Sequence, residues 1–165
     1  VVGPWFSALE DKLQLDWSSF KFTFKGSSYT CKGAIYQGIL DEFNDPVVGE
    51  IDFSRFDATL NVPLSSSTEM VAFAVLLGEA PPEFWDALSY QLKTAKCTTV
   101  GGTKYYTVGN RFSGEYNTSL GNCFINYLCM AFVMWASGIS KWRCLVEGDD
   151  NVVMMEEDDW KFVKW

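Results

Sequence analysis

From Cys123 to Ile139 the chain carries no charged residue, and the polar stretch Gly109–Asn117 leads into it. No other feature narrows the possible folds as far. A helix over such a run is either the axis of a protein core or one of the shortest segments able to span a bilayer. Asn126 and Ser137 lie within it, and a polar glycine-bearing loop feeds directly into it. A core helix from about Thr118 to Ala136, packed by protein nearly all round, is therefore expected.

The rest of the chain must pack around that helix. Its N-terminal part predicts a helix over Phe6–Leu15, a strand over Phe20–Lys25, a turn at Gly26-Ser27-Ser28 and a helix over Gly33–Phe43. Asn44-Asp45-Pro46 closes this helix, since proline disfavours the helical conformation in the residue before it. Val47–Phe53 reads as a buried strand. Ser66-Ser67-Thr68-Glu69 matches a capping box opening a helix to about Leu77, and Pro81-Pro82 opens another to about Leu92. Lys96–Val100 and Thr103–Val108 predict a hairpin around Gly101-Gly102; Lys141–Glu147 and Asn151–Met155 predict a second around Gly148-Asp149-Asp150. Glu156–Trp165 reads as a final helix with its acids in the first turn. The fold class is α+β, close to a ferredoxin-like βαββαβ unit lacking its last strand.

Composition removes several chemistries. The chain has no histidine, which excludes Ser-His-Asp and Cys-His catalysis and every His-containing zinc site. Its five cysteines form no CxxC pair and read as buried apolar residues of a reducing compartment. Thirteen Lys and Arg stand against 21 Asp and Glu, a net charge of −8 that argues against a surface given over wholly to nucleic acid. Bound divalent cations would change that balance. The Val1-Val2-Gly3 start shows no basic n-region or cleavage site, so no signal peptide is visible, and the chain is expected to be cut from something longer.

Three segments carry chemistry. Asp52-Phe53-Ser54-Arg55-Phe56-Asp57 ends the first predicted buried strand, Ser113-Gly114-Glu115-Tyr116-Asn117-Thr118-Ser119-Leu120-Gly121-Asn122 enters the apolar helix, and Gly148-Asp149-Asp150 tips a hairpin. Carboxylates gathered at strand ends repel one another, and hard oxygen donors of this kind select Mg²⁺ or Mn²⁺ over zinc. If the Asp52 strand lies beside the Asp149 hairpin, the two aspartates bridge two metals about 3.5–4 Å apart, the arrangement for in-line phosphoryl transfer. Taken singly, the same residues read as strand termini, helix caps and ordinary turn residues.

In this order the segments resemble motifs A, B and C of the palm of viral RNA-dependent RNA polymerases. Asp52-x4-Asp57 is similar to motif A, Ser113-Gly114-x3-Thr118-x3-Asn122 to motif B and Gly148-Asp149-Asp150 to motif C. The residues between the fixed positions look most like tombusvirus-like positive-strand RNA viruses, with flavivirus-like enzymes next. The resemblance implies a right-hand polymerase palm. Residues 1–46 would be a pre-palm, fingers-side segment and 47–165 the palm core, with a fingers insertion at about 80–110. It implies templated RNA synthesis with two Mg²⁺ or Mn²⁺ ions held by Asp52 and Asp149, assisted by Asp150. Asp57, Ser113, Thr118 and Asn122 would read the ribose, the backbone amides of Phe53 and Ser54 would touch the triphosphate, and Gly114 would let the loop bend. A 2′-hydroxyl donating to Asp57 and accepting from Asn122 suits that role. The implied partners are RNA template and nascent strand, ribonucleoside triphosphates, the remaining fingers and thumb, and replication-complex proteins. The implied location is the host cytoplasm, at membrane-associated replication complexes. The expected basic motif F is not visible upstream of motif A, and Lys161 and Lys164 come too early for the motif D lysine. Two rivals are a reverse-transcriptase-like palm and a non-catalytic scaffold that binds divalent cations; Glu147-Gly148-Asp149-Asp150 and Asn122 favour ribonucleotides over the first.

Overall fold

A computed structural model of the chain describes residues 2–16, 22–23, 27–90, 93–112 and 114–164. In chain order the elements are α1 (Gly3–Asp16), α2 (Tyr29–Leu40), β1 (Pro46–Asp52), α3 (Phe56–Thr59), α4 (Val62–Ser67) and α5 (Glu69–Leu76). There follow α6 (Pro82–Ser89), β2 (Thr94–Thr98), β3 (Lys104–Val108), α7 (Thr118–Ser137), β4 (Trp142–Glu147), β5 (Asp150–Glu156) and α8 (Glu157–Trp160). The fold is mixed α and β, with antiparallel sheets.

The main sheet has the order β1-β5-β4, so the last strand lies between the first and its own hairpin partner. Alternation along β5 divides its residues between two layers. Val153 and Met155 join Cys123, Met130, Cys144 and Val146 in the larger core, which also takes in Phe6, Phe73, Phe84 and Leu88. Met154 joins Leu145, Ile39 and Phe43 on the other face, where α2 packs. The sheet is thus covered by α7 on one face and partly by α2 on the other. Beyond β4, Thr23 forms a parallel bridge with Val146, whose amide donates to the Phe22 carbonyl at 2.8 Å. The other residues of the expected Phe20–Lys25 strand, and Gly26 of the turn after it, lie outside the described residues.

The apolar run forms the expected helix, but burial all round holds only for its first half. Leu120 to Asn126 are buried without interruption; beyond them Met130 and Met134 stay inside while Leu128, Phe132 and Trp135 are exposed. By length and composition α7 could cross a membrane, and half of it is buried within this protein. Gly138 ends it with a left-handed cap (φ 75°).

Several local expectations shift. The capping box does not form: Asn61 caps α4, its side chain accepting from the Leu64 amide, and Ser66 lies inside that helix. Pro63 suits the first turn there, so the helix starts earlier and breaks at Thr68. Ser28 likewise caps α2 and starts it before Gly33. The Gly101-Gly102 hairpin is real, but Thr98 pairs with Lys104, so the loop is longer than the glycine pair. β1 is half-exposed rather than buried, as an edge strand of a three-stranded sheet must be. The last helix shrinks to α8, because the chain then turns back to α7: the Lys164 amide donates to Ser137 Oγ at 2.9 Å. All five cysteines are free, but Cys31 is exposed and Cys97 and Cys129 only half-buried, so the expectation of uniform burial fails.

Candidate active site

Pairing of β1 with β5 sets Asp52 opposite Asp150, and pairing of β5 with β4 sets Asp150 opposite Glu147. Three acids therefore stand in one row across the end of the sheet. Asp149 sits beside them in the two-residue turn between β4 and β5, where Gly148 takes φ 71°, a conformation that favours glycine. One row further in, Glu50 lies opposite Val152. Glu50, Asp52, Glu147 and Asp150 line a groove of about 600 Å³. Partial desolvation, and then the charges of Asp149, Asp52, Glu147 and Glu50, hold the Asp150 carboxyl above its usual range. At the rim, Lys32 of α2 pairs with Glu147 at 2.7 Å.

Of the second predicted cluster, Asp57 and Asn122 meet near the start of α7. Asp57 stands in the first turn of α3 and accepts from Asn122 Nδ2 at 2.8 Å, a contact across 65 positions. The turn that leads there passes through Arg55 at φ 56°, a left-handed conformation costing about 1–2 kcal/mol for a residue with a Cβ. The Asp57 carboxylate fixes which end of the Asn122 amide faces it. Among the described residues Asn122 Oδ1 is left buried without a hydrogen-bond partner. The Asn122 amide nitrogen is thus already engaged by Asp57 in this structure. Thr118 opens α7 and donates its hydroxyl to the Phe112 carbonyl at 3.0 Å. Gly114, at φ 93°, bends the loop before it. Phe53 packs edge-on against Phe56, and Ser54 is exposed in the turn after β1. Ser113 lies outside the described residues.

Two residues that the sequence reading passed over hold this loop. Arg111 and Glu69 form a buried ion pair, and Arg111 Nη1 also donates to the Asn117 carbonyl at 3.0 Å. A Cβ on Gly121 would collide with both side chains, so the pair is pressed against the first turn of α7 next to Asn122. Glu115, half-buried nearby, has its carboxyl raised, first by desolvation. Arg111 lies two residues before Ser113 and was visible as a basic residue; its partner was hidden because Glu69 read as half of a capping box.

Comparison with known proteins decides the family. The family model described as viral RNA dependent RNA polymerase matches residues 19–164. The chain belongs to that family. It is 31% identical over 147 residues to the RNA-directed RNA polymerase of tobacco necrosis virus (strain D), covering 86% of this chain and 20% of that protein. It is 31% identical over 146 residues to the enzyme of Panicum mosaic virus, covering 84% and 14%. Against the enzyme of tomato bushy stunt virus (strain Cherry) the figures are 31% over 147 residues, 85% and 17%. The chain thus spans a fifth or less of the length of these curated relatives.

All three acid-bearing segments lie inside the polymerase-family match. Viral polymerases of this family use divalent metal ions. Among the described residues no three Asp, Glu, Cys or His side chains converge as closely as a bound ion requires. The donors are nevertheless of the right chemistry: carboxylate oxygens from two strands, crowded enough to raise the proton affinity of Asp150.

Proposed function

We propose that this chain is the palm core of an RNA-directed RNA polymerase and that the acid end of its sheet serves templated nucleotidyl transfer. The observation that supports this best is the β1–β5 register, which sets Asp52 opposite Asp150 and one residue from Asp149. The strand order fits a palm, being that of a ferredoxin-like unit without its fourth strand. In this reading residues 1–46 are the pre-palm segment and 47–165 the palm core. The β2–β3 hairpin, a separate two-stranded sheet, belongs to a fingers insertion at about 80–110.

Asp52, Asp149 and Asp150 would hold two Mg²⁺ or Mn²⁺ ions, which lower the pKa of an attacking 3′-hydroxyl and offset triphosphate charge. The chain's residues bind and orient. The oxygen of the 3′-hydroxyl bonds to the α-phosphorus as the bond to pyrophosphate breaks, and the sheet edge fixes where those atoms meet. Asp57 and Asn122 take the ribose: its 2′-hydroxyl donates to the orphaned Asn122 Oδ1, and a deoxyribose leaves that acceptor unpaired. By the resemblance Ser113 and Thr118 would read the sugar with them, the amides of Phe53 and Ser54 would meet the triphosphate, and Gly114 would let the loop bend as the template advances. RNA template, nascent strand and ribonucleoside triphosphates are the substrates, with the enzyme's fingers and thumb and other replication proteins as partners. It would work in the host cytoplasm on membrane-associated replication complexes.

The test is Asp149→Asn in the complete polymerase. Nucleotide incorporation should all but vanish while RNA affinity stays close to that of the parent, because the change keeps size and removes a metal-binding charge. A scaffold that merely binds cations would show no loss of incorporation, and equal rates at saturating Mg²⁺ would overturn the assignment.

A further inference from the structure

The acid-bearing turn is fastened to α7 from below. Asn126 is fully buried, and its Nδ2 lies 3.2 Å from the Gly148 carbonyl, 2.9 Å from that of Asp149 and 3.2 Å from that of Asp150. Three consecutive carbonyl oxygens around one amide leave no doubt about its orientation, since an oxygen there would face three others. Asn126 Oδ1 accepts in turn from Asn151 Nδ2 at 2.8 Å, within the core. One turn earlier on the same helix face, Cys123 Sγ accepts from the Gly148 amide at 3.2 Å. Every backbone carbonyl of Gly148-Asp149-Asp150 is thus drawn toward the helix, while the side chains of Asp149 and Asp150 remain exposed.

We propose that Asn126 is a positioning residue for the acid pair: its buried amide ties the carbonyls of the turn to α7 and so fixes where Asp149 and Asp150 present their carboxylates. A two-residue turn between two strands can otherwise rock about its ends. Holding it by the backbone leaves every carboxylate oxygen free for other partners. The same helix carries Asn122 one turn earlier, so one rigid element sets the position of both the acids and the Asp57–Asn122 pair. The polar residue within the apolar run then has a purpose.

This inference rests on the metal-holding role proposed above, and the experiment separates the two. In the complete polymerase, Asn126→Leu keeps approximate shape and removes the donors. Met134→Ala, in the same helix and also fully buried, serves as a control for plain destabilisation. Asn126→Leu is expected to weaken Mn²⁺ binding, read by electron paramagnetic resonance without substrate, by about 10–100-fold, as loss of an outer-shell partner does. Half-saturating Mg²⁺ for incorporation should rise in parallel, kcat should fall, and KM for nucleotide should stay within about twofold. In hydrogen exchange, amides 148–151 should lose protection more than the rest of the sheet. Met134→Ala should lower thermal stability and leave Mn²⁺ binding at the parental value. Parental Mn²⁺ binding in Asn126→Leu, beside an inactive Asp149→Asn enzyme, would overturn the positioning role alone. An active Asp149→Asn enzyme would overturn the metal assignment and this inference with it.

Discussion

Asn122 and Asp150 are both polar residues whose surroundings leave them unsatisfied, in different ways. Asn122 is buried with its amide committed to Asp57 and its oxygen unpartnered, which is costly in the free protein and useful to a ligand that brings a hydroxyl. Asn122→Ala in the complete enzyme should therefore reduce the ratio of kcat/KM for ATP over dATP by about tenfold or more, with little change in Mg²⁺ dependence. An unchanged ratio would remove Asn122 from the sugar site. Asp150 is unsatisfied electrostatically. Its carboxyl is raised in the folded protein, by desolvation first and then by four neighbouring acids. The stability linked to this group is complete below its unfolded pKa and is lost as pH rises through the higher folded value. Its ionised form thus opposes folding at neutral pH. Asp150→Asn should raise the melting temperature of the metal-free protein at pH 7, lose that advantage near pH 3, and lose it again in saturating Mg²⁺. A lower melting temperature at pH 7 without metal would contradict this account.

The elements differ in how far local chemistry determines them. The Gly148-Asp149 turn, the Gly101-Gly102 hairpin and the Pro82 helix start were legible because their signals act over a few residues. The starts of α4 and α5 were not, because two start signals compete there: the Asn61 cap and Pro63 prevail, and Glu69 is drawn to Arg111 from 42 positions away. Only the tertiary fold reveals that contest. The Arg111–Glu69 pair also shapes α7. Gly121 lies against both side chains and has no room for a methyl group, whereas nothing lies within 4 Å of a Cβ on Gly33 in α2. Gly33→Ala is expected to stabilise the protein by about 0.5–1 kcal/mol, through helix propensity alone. Gly121→Ala should destabilise it by about 1–3 kcal/mol, since the buried pair must move. Urea unfolding of the two variants compares them directly, and equal shifts would mean that the pair does not press on α7.

Across the whole molecule the acids outnumber the bases, and several of the bases are engaged: Lys32 with Glu147, Arg111 with Glu69, Arg143 with Glu42 and Lys141 with Glu156. Those four are committed to carboxylates rather than open to a triphosphate. The 165-residue chain by itself should accordingly fail to extend a primer on a homopolymeric template in Mg²⁺ or Mn²⁺. Extension by this chain, and none by its Asp149→Asn form, would show that the chain carries more of the machinery than its charge suggests. The candidate acids were legible because carboxylates flanked by turn residues stand out in a sequence. What holds them, and the loop before α7, was not, because Asn126, Arg111 and Glu69 act through partners that only folding brings near. The β1–β5 register also has a consequence for biosynthesis. Asp52 and its opposite number Asp150 are 98 positions apart (150 − 52). At about 5–20 residues per second, the ribosome needs roughly 5–20 s to make the second after the first. Throughout that interval β1 lacks β5, the strand it pairs with, and its Val47, Val48 and Ile51 are open to whatever binds nascent chains. Of the three strands, β5 is made after β1 and β4 and fills the middle of the sheet, so the two halves of the acid row cannot meet until synthesis of β5 is complete.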